Sequence, residues 1–339
     1  MKAISAGKLR GLRRMADEAG RFKMTAVDQR PPISNPIAKA LGKPAPWDEV
    51  GRFKAALIRE LQGQSTAMLL DPSYAYPFAE NVLDPRLGLI VTLEEAVWQD
   101  TPDGRLSDVI EGWSVSKIRR MGADAVKVLC WYRPDAPKHV TDHQKAFVRK
   151  IGEECAKFDI PYLFEVLVYP LPGEANQTTQ YVEMADKKSE LVFECVAEFA
   201  KPEYGVDVFK LESPVPARLC DGSAEVQRAF DEMGRLCGRP WVMLSAGAGM
   251  AEFRAVLEHA YKAGASGYLA GRAIWSEALK LYPDWQKIEA ELKGRGVGYM
   301  QEINALTDAH AAPLWQVFGG VKLADDDAAF AKAYGDITG

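Results

Sequence analysis

Long apolar runs are missing from this 339-residue chain. Its longest, such as 67–70 and 87–91, fall far short of the ~20 residues that a membrane-spanning helix needs. The basic N-terminus (Lys2, Lys8, Arg10, Arg13, Arg14) is followed by no apolar stretch, so a signal peptide is not expected. The five cysteines (Cys130, Cys155, Cys195, Cys220, Cys237) form no CxxC pair and cannot all be bridged. They read as small core residues of a reduced, cytoplasmic protein. Histidine is scarce, at four. His139 and His143 are four apart but have no third partner in view, and His259 and His310 read as packing or surface residues, so no metal site is expected. There is no excess of basic charge either. With 42 basic and 47 acidic residues interspersed, for a net −5, a nucleic-acid backbone has no stripe to bind. The chain lacks a GxSxG elbow and a Walker-type GKS or GKT. Gly247-Ala248-Gly249 lacks the third glycine of a dinucleotide fingerprint.

What remains, 47% hydrophobic and 26% charged, has the profile of a packed globular protein, long enough for two domains or one large barrel. Strand-like runs fall at 22–28, 66–71, 87–92, 124–131, 161–168, 206–213, 240–246 and 266–271, several rich enough in Val, Ile, Leu and aromatics to be buried on both faces. Amphipathic helices are predicted at 142–158, 181–200, 223–237 and 250–263. In the helix at 181–200, Val182 and Val192 are on the apolar face and Asp186-Lys187-Lys188 is solvated. Eight strand–helix units over roughly 270 residues predict a (β/α)8 barrel, since no Gly-rich turn follows the first strand. The Pro- and Gly-rich segment 31–46 reads as a long loop leading into a helix at 48–62. Residues 1–294 are expected to form the barrel and 295–339 a helical C-terminal extension packed on it.

A buried strand has little use for charge, so charges inside these runs carry the functional signal. Asp28 and Asp71 end strands one and two. Lys127 is in strand four, Glu165 in strand five, and Lys210 and Glu212 in strand six. Strand seven ends in Ser245-Ala246-Gly247, and strand eight runs into Gly271-Arg272. All lie in the C-terminal halves of parallel strands, so they converge on one mouth of a barrel. Asp71, before Pro72, reads mainly as a loop initiator. Glu212 can cap its strand end or pair with a lysine, and Lys127 with Glu165 can form a structural salt bridge.

Lys210, between Phe209 and Leu211, has no equally bland explanation. A free lysine is uncharged only about once in 2,500 at pH 7. Burial and a second ammonium, here Lys127, enlarge that nucleophilic share. Glu165, on the strand between them, can shuttle protons during carbinolamine dehydration. This constellation asks for Schiff-base chemistry.

The stretches "AVDQR" (26–30), "MLLDPSY" (68–74), "GADAVKVLCWY" (122–132), "IPYLFEVLVY" (160–169), "VDVFKLESPV" (206–215), "LSAG" (244–247) and "GRAIW" (271–275) resemble, in order, the strand motifs of class I tagatose 1,6-bisphosphate aldolases. The resemblance implies Lys210 as the Schiff-base lysine, surrounded by Lys127, Glu165 and Asp28. It implies that Ser245, the backbone near Gly247, and Gly271 and Arg272 hold a substrate phosphate, with Gln29 and Arg30 as further binding residues. The loops after strands seven and eight are also the usual phosphate site of a barrel. The implied reaction is metal-independent cleavage of a ketose 1,6-bisphosphate to dihydroxyacetone phosphate and glyceraldehyde 3-phosphate, with no cofactor. Segments 31–46 and 216–230 depart from the family pattern. An aldolase for a sulfofructose phosphate or another phosphorylated keto sugar therefore stays open, with Arg30 able to serve either anion. A non-catalytic sugar-phosphate-binding barrel and a phosphosugar isomerase or decarboxylase are further rivals. The expected partner is a small sugar phosphate, not nucleic acid or membrane, and homo-oligomer formation stays open.

Overall fold

The computed structural model describes residues 2–174, 184, 188–324 and 330–335. Eight parallel strands close a barrel: β1 (Phe22–Ala26), β2 (Ala67–Leu70), β3 (Gly88–Thr92), β4 (Ala125–Trp131), β5 (Tyr162–Leu167), β6 (Val208–Leu211), β7 (Trp241–Met243) and β8 (Gly267–Ala270). Neighbours in sequence pair around the ring, and β8 closes on β1 with Gly267 opposite Phe22. That closure demands a glycine. Gly267 has φ +148°, and a Cβ there would sit 1.9 Å from the Phe22 carbonyl oxygen.

The helices lie where the strands need covering. Those ahead of β4 are α1 (Ala6–Met15), α2 (Pro31–Leu41), α3 (Trp47–Leu61), α4 (Ala75–Ala79) and α5 (Val115–Arg120), with α6 (Lys138–Lys157) following it. After β5 come α7 (Ser189–Phe199), α8 (Ala224–Cys237), α9 (Met250–Lys262), α10 (Arg272–Leu279), α11 (Trp285–Glu291) and α12 (Val297–His310). The expected helix at 181–200 corresponds to α7, while Val182, Asp186 and Lys187 lie outside the described residues. One apolar layer fills the space between strands and helices. A second fills the lower barrel, where Met24, Leu69, Ile90, Leu163 and Leu269 meet Leu12 and Met15 of α1, which plugs the N-terminal end. Four of the five cysteines are buried and all are free; burial pushes the Cys237 thiol up to about 12.

Three expectations need correcting. Segment 31–46 is not a loop throughout, because α2 occupies Pro31–Leu41. Pro31 and Pro32 fall in the first turn, where a missing N–H costs no intrahelical bond. Ile33 and Ile37, four apart, bury one face, and left-handed Gly42 caps the end by donating its N–H to Ala38 O. The helix expected from 142 begins at Lys138, directly after Pro137. The C-terminal segment is not wholly helical, since Val321–Leu323 pairs in parallel with Lys2–Ile4.

Asp71 does not join the mouth of the barrel. Its carboxylate accepts N–H bonds from Ser73 (3.1 Å) and Tyr74 (2.7 Å), starting the loop after β2. It also pairs with Lys54 of α3, whose Nζ donates to Val27 O at 2.8 Å. Both side chains are fully buried. Removing one partner strands a buried charge. Asp71→Ala should therefore lower unfolding free energy by about 3–5 kcal/mol in a urea titration, and the double change Lys54→Met, Asp71→Leu should recover a large part of that loss.

Candidate active site

Alternation along the strands sets the site. On β4 the inward series is Ala125, Lys127, Leu129, Trp131, and on β5 it is Leu163, Glu165, Leu167, Tyr169. Glu165 stands directly opposite Lys210 on β6. The Lys210 Nζ donates to Glu165 Oε2 at 2.8 Å, and Lys127 Nζ lies 2.9 Å from the same oxygen. Lys127 also donates to Asp28 Oδ2 at 3.0 Å and to Glu94 Oε1 at 2.6 Å. Asp28 follows β1, and its Oδ1 is buried without a hydrogen-bond partner among the described residues.

Asp28, Lys127, Glu165 and Lys210 line one cavity, together with Gln29, Arg30, Ser245, Gly271 and Arg272. Nine of the ten candidate residues thus face one cavity, and the tenth, Gly247, adjoins it: a Cβ there would lie 3.5 Å from the Arg272 guanidinium. The turn after β7 closes with Ala248 N–H donating to Ser245 O at 2.7 Å. Its central residues Ala246 (φ 45°) and Gly247 (φ 91°) are both left-handed, a conformation that glycine takes freely and alanine only at a cost. Gly271 precedes α10 and lets the end of β8 approach β1, since a Cβ would sit 2.7 Å from Ala26 O. Arg272 opens the helix. Backbone amides, a hydroxyl and a guanidinium thus gather beside the lysines, a setting suited to a dianion.

Above the lysine layer, a hairpin of Gln99–Thr101 and Gly104–Leu106 folds over the ends of β4 and β5. Its Arg105 guanidinium stacks 3.9 Å from the Trp98 ring, 4.6 Å from Trp131 and 4.7 Å from Tyr169. Glu212 accepts from Val168 N–H at 2.8 Å, holding the end of β5. The histidines stay apart from the cavity lining. His143 meets Ser107 O, His139 meets Asp103, and His259 stacks on Phe230.

A family model described as DeoC/LacD family aldolase matches residues 22–277. The chain is 32% identical over 332 residues to the tagatose 1,6-diphosphate aldolase of Listeria monocytogenes, covering 94% of this chain and 97% of that one. It is 32% identical over 308 residues to tagatose 1,6-diphosphate aldolase 2 of Enterococcus faecalis, covering 85% and 92%. A solved Schiff-base-forming fructose-1,6-bisphosphate aldolase superimposes with TM-score 0.56 at 17% identity, over 88% of this chain and 98% of its own, a likeness of fold. The chain belongs to the DeoC/LacD family of aldolases. It is a lyase acting on a carbon–carbon bond.

Two buried polar residues beside the lysine layer of this aldolase carry no mark in the apolar pattern of the sequence. Thr92 and Glu94 continue the inward series of β3 from Ile90, and Thr92 Oγ1 donates to Glu94 Oε2 at 2.5 Å. The apolar run of β3 ends at residue 92, which leaves Glu94 outside it, and the two-residue spacing from Thr92 is the signal that carries it inward.

Electrostatics tie the cluster to stability. Burial opposes ionisation of Asp28, but Lys127, Lys210 and Arg30 outweigh it and hold the carboxyl well below the usual range. Glu165 is likewise lowered, because Lys127 and Lys210 overcome its burial. A depressed carboxyl stabilises the fold fully above its unfolded pKa, and the contribution is lost as pH falls through the folded value. Wild-type unfolding free energy should therefore drop steeply below about pH 4, and Asp28→Asn should flatten that fall. An unchanged slope in acid unfolding would break the assignment.

Proposed function

We propose that this aldolase reversibly cleaves a ketose 1,6-bisphosphate of the tagatose or fructose type, through a Schiff base on Lys210, to dihydroxyacetone phosphate and glyceraldehyde 3-phosphate. The observation that carries this reading is the single Glu165 oxygen shared by the two buried ammonium groups of Lys127 and Lys210. A proton that leaves Lys210 has an acceptor 2.8 Å away, and the resulting amine stays inside the cavity. The names of the Listeria and Enterococcus relatives favour the tagatose bisphosphate over a sulfosugar phosphate.

In this mechanism the neutral Lys210 Nζ adds to the C2 carbonyl, and its oxygen takes up a proton to give a carbinolamine. Glu165 returns a proton to that hydroxyl, which leaves as water, and the iminium forms. Glu165, ionised again by the dehydration, takes the C4 hydroxyl proton as the C3–C4 bond breaks, and the bonding pair moves into the iminium to give an enamine. Glyceraldehyde 3-phosphate departs. Protonation at C3 and addition of water then release dihydroxyacetone phosphate and the free lysine. The unpartnered Asp28 Oδ1 offers an acceptor to a sugar hydroxyl. Ser245, Gly247, Gly271 and Arg272 hold one phosphate, and Gln29 and Arg30 meet the remainder of the sugar.

Residues 1–294 act as the catalytic barrel in this reading, with 295–339 as an extension packed on it. Tyr299 Oη donates to Met250 O and Asn304 Nδ2 to Gln64 O across that seam. The substrate is a small sugar phosphate, and the free, largely buried thiols suit a reducing cytoplasm. Among the described residues, no helix is long and apolar enough to cross a membrane.

Borohydride with dihydroxyacetone phosphate should fix a reduced adduct that peptide mapping assigns to Lys210, undiminished by a chelator. Lys210→Arg keeps the charge but cannot form the imine, so the adduct should vanish and turnover fall at least about 10³-fold. Retained cleavage in that variant overturns the mechanism. Arg272→Ala should raise KM for the bisphosphate about 10- to 100-fold with a smaller change in kcat. Unaltered phosphate affinity in a competition assay would remove Arg272 from that role.

A further inference from the structure

Lys127 has three N–H donors, and three carboxylates surround its Nζ: Glu94 at 2.6 Å, Glu165 at 2.9 Å and Asp28 at 3.0 Å. Asp28 and Glu165 line the cavity, as do both lysines, whereas Glu94 lies behind Lys127, outside that lining. It is 2% exposed and held from every side. Its Oε2 accepts from Thr92, its backbone oxygen accepts from Arg30 Nη1 at 3.0 Å, and Arg30 Nη2 is 3.9 Å from Oε1. A group so fixed cannot reach a substrate carbonyl, and it acts only through Lys127.

We propose that Glu94 is a positioning residue for aldol cleavage, whose carboxylate fixes the Lys127 ammonium and offsets its charge so that Glu165 can exchange protons with Lys210. The inference rests on the Schiff-base reading above. The groups facing one another are Asp28 after β1, Glu94 after β3, Lys127 on β4, Glu165 on β5, Lys210 on β6, and Arg30 beside Glu94. With all six ionised, three negative charges balance three positive ones. Passing the Lys210 proton to Glu165 leaves two against two, so the step creates no net buried charge. Without the Glu94 charge the same cluster carries an excess positive charge from the start, which resists protonation of Glu165. Lys127 is then held by a neutral acceptor in place of a charged one, a weaker hydrogen bond.

Glu94→Gln keeps the size and one acceptor oxygen while removing the charge, and Glu94→Asp keeps the charge. The test measures kcat, KM, thermal unfolding, and the rate of borohydride trapping with dihydroxyacetone phosphate across pH. In Glu94→Gln we expect kcat and trapping rate to fall at least about 10-fold with KM within about threefold. The limbs of the pH profile should move to lower pH by on the order of one unit, as loss of a nearby negative charge requires. Glu94→Asp should restore the wild-type pH profile and part of kcat. An unmoved pH profile in Glu94→Gln, or equal losses in both variants accompanied by lowered unfolding temperature, overturns the proposal. Should Glu94→Gln fail to fold, Thr92→Val, which frees Glu94 Oε2, must lower kcat at unchanged KM, and wild-type kcat there overturns it equally. A wild-type protein that traps no adduct would strike the Schiff-base reading itself, which keeps the two failures apart.

Discussion

Two ammonium groups and three carboxylates share the buried upper layer of this barrel, and no one of them is tolerable there alone. Removing an isolated ion from water costs several kcal/mol even after relaxation. Each charge is therefore admitted by the others: Lys127 by Asp28, Glu94 and Glu165, and Lys210 by Glu165. The closed barrel makes this possible, because five different strands or strand ends deliver one charge each to a common axis. An open sheet would spread the same residues over one face. The lower layer of Met24, Leu69, Ile90, Leu163 and Leu269, with α1 beneath, keeps water from reaching the cluster through the barrel floor.

The same mutual dependence explains what can move. A proton passed from Lys210 to Glu165 moves along a hydrogen bond already made, with nitrogen and oxygen 2.8 Å apart, so no side chain must reorganise. Lys127, saturated by carboxylates, contributes a fixed positive charge rather than a mobile proton. The stack of Arg105 on Trp98, Trp131 and Tyr169 clamps the hairpin onto the ends of the two strands that carry Lys127 and Glu165.

The strands were legible because each buried strand is a short apolar run, and a charge inside such a run announces itself. Lys127, Glu165 and Lys210 stand out for that reason. Glu94 did not, because it lies two residues past the apolar run of β3, where local composition looks like a loop. Segment 31–46 was misread because three prolines in α2 signal a loop when counted and a helix start when positioned: Pro31 and Pro32 open the first turn, and Ile33 and Ile37 supply the buried face. The pairing of Lys2–Ile4 with Val321–Leu323 joins segments at opposite ends of the chain, and neither carries a pattern that names its partner.

Asp71 and Asp28 show why residue type and strand position together still do not separate structure from chemistry. Both end a barrel strand, both are buried, and both pair with a lysine. Around Asp71 every neighbour answers a structural need: three backbone amides and the ammonium of Lys54 on α3 consume its oxygens. Among the described residues Asp28 keeps one oxygen without a hydrogen-bond partner, and it lines a cavity that also holds Lys210. An unmade hydrogen bond at a buried carboxylate costs stability, of the order of 1–3 kcal/mol. Inside a cavity lined by two lysines, a sugar hydroxyl is a donor that can complete that bond. That open oxygen together with its place in the cavity lining, rather than the aspartate itself, separates Asp28 from Asp71.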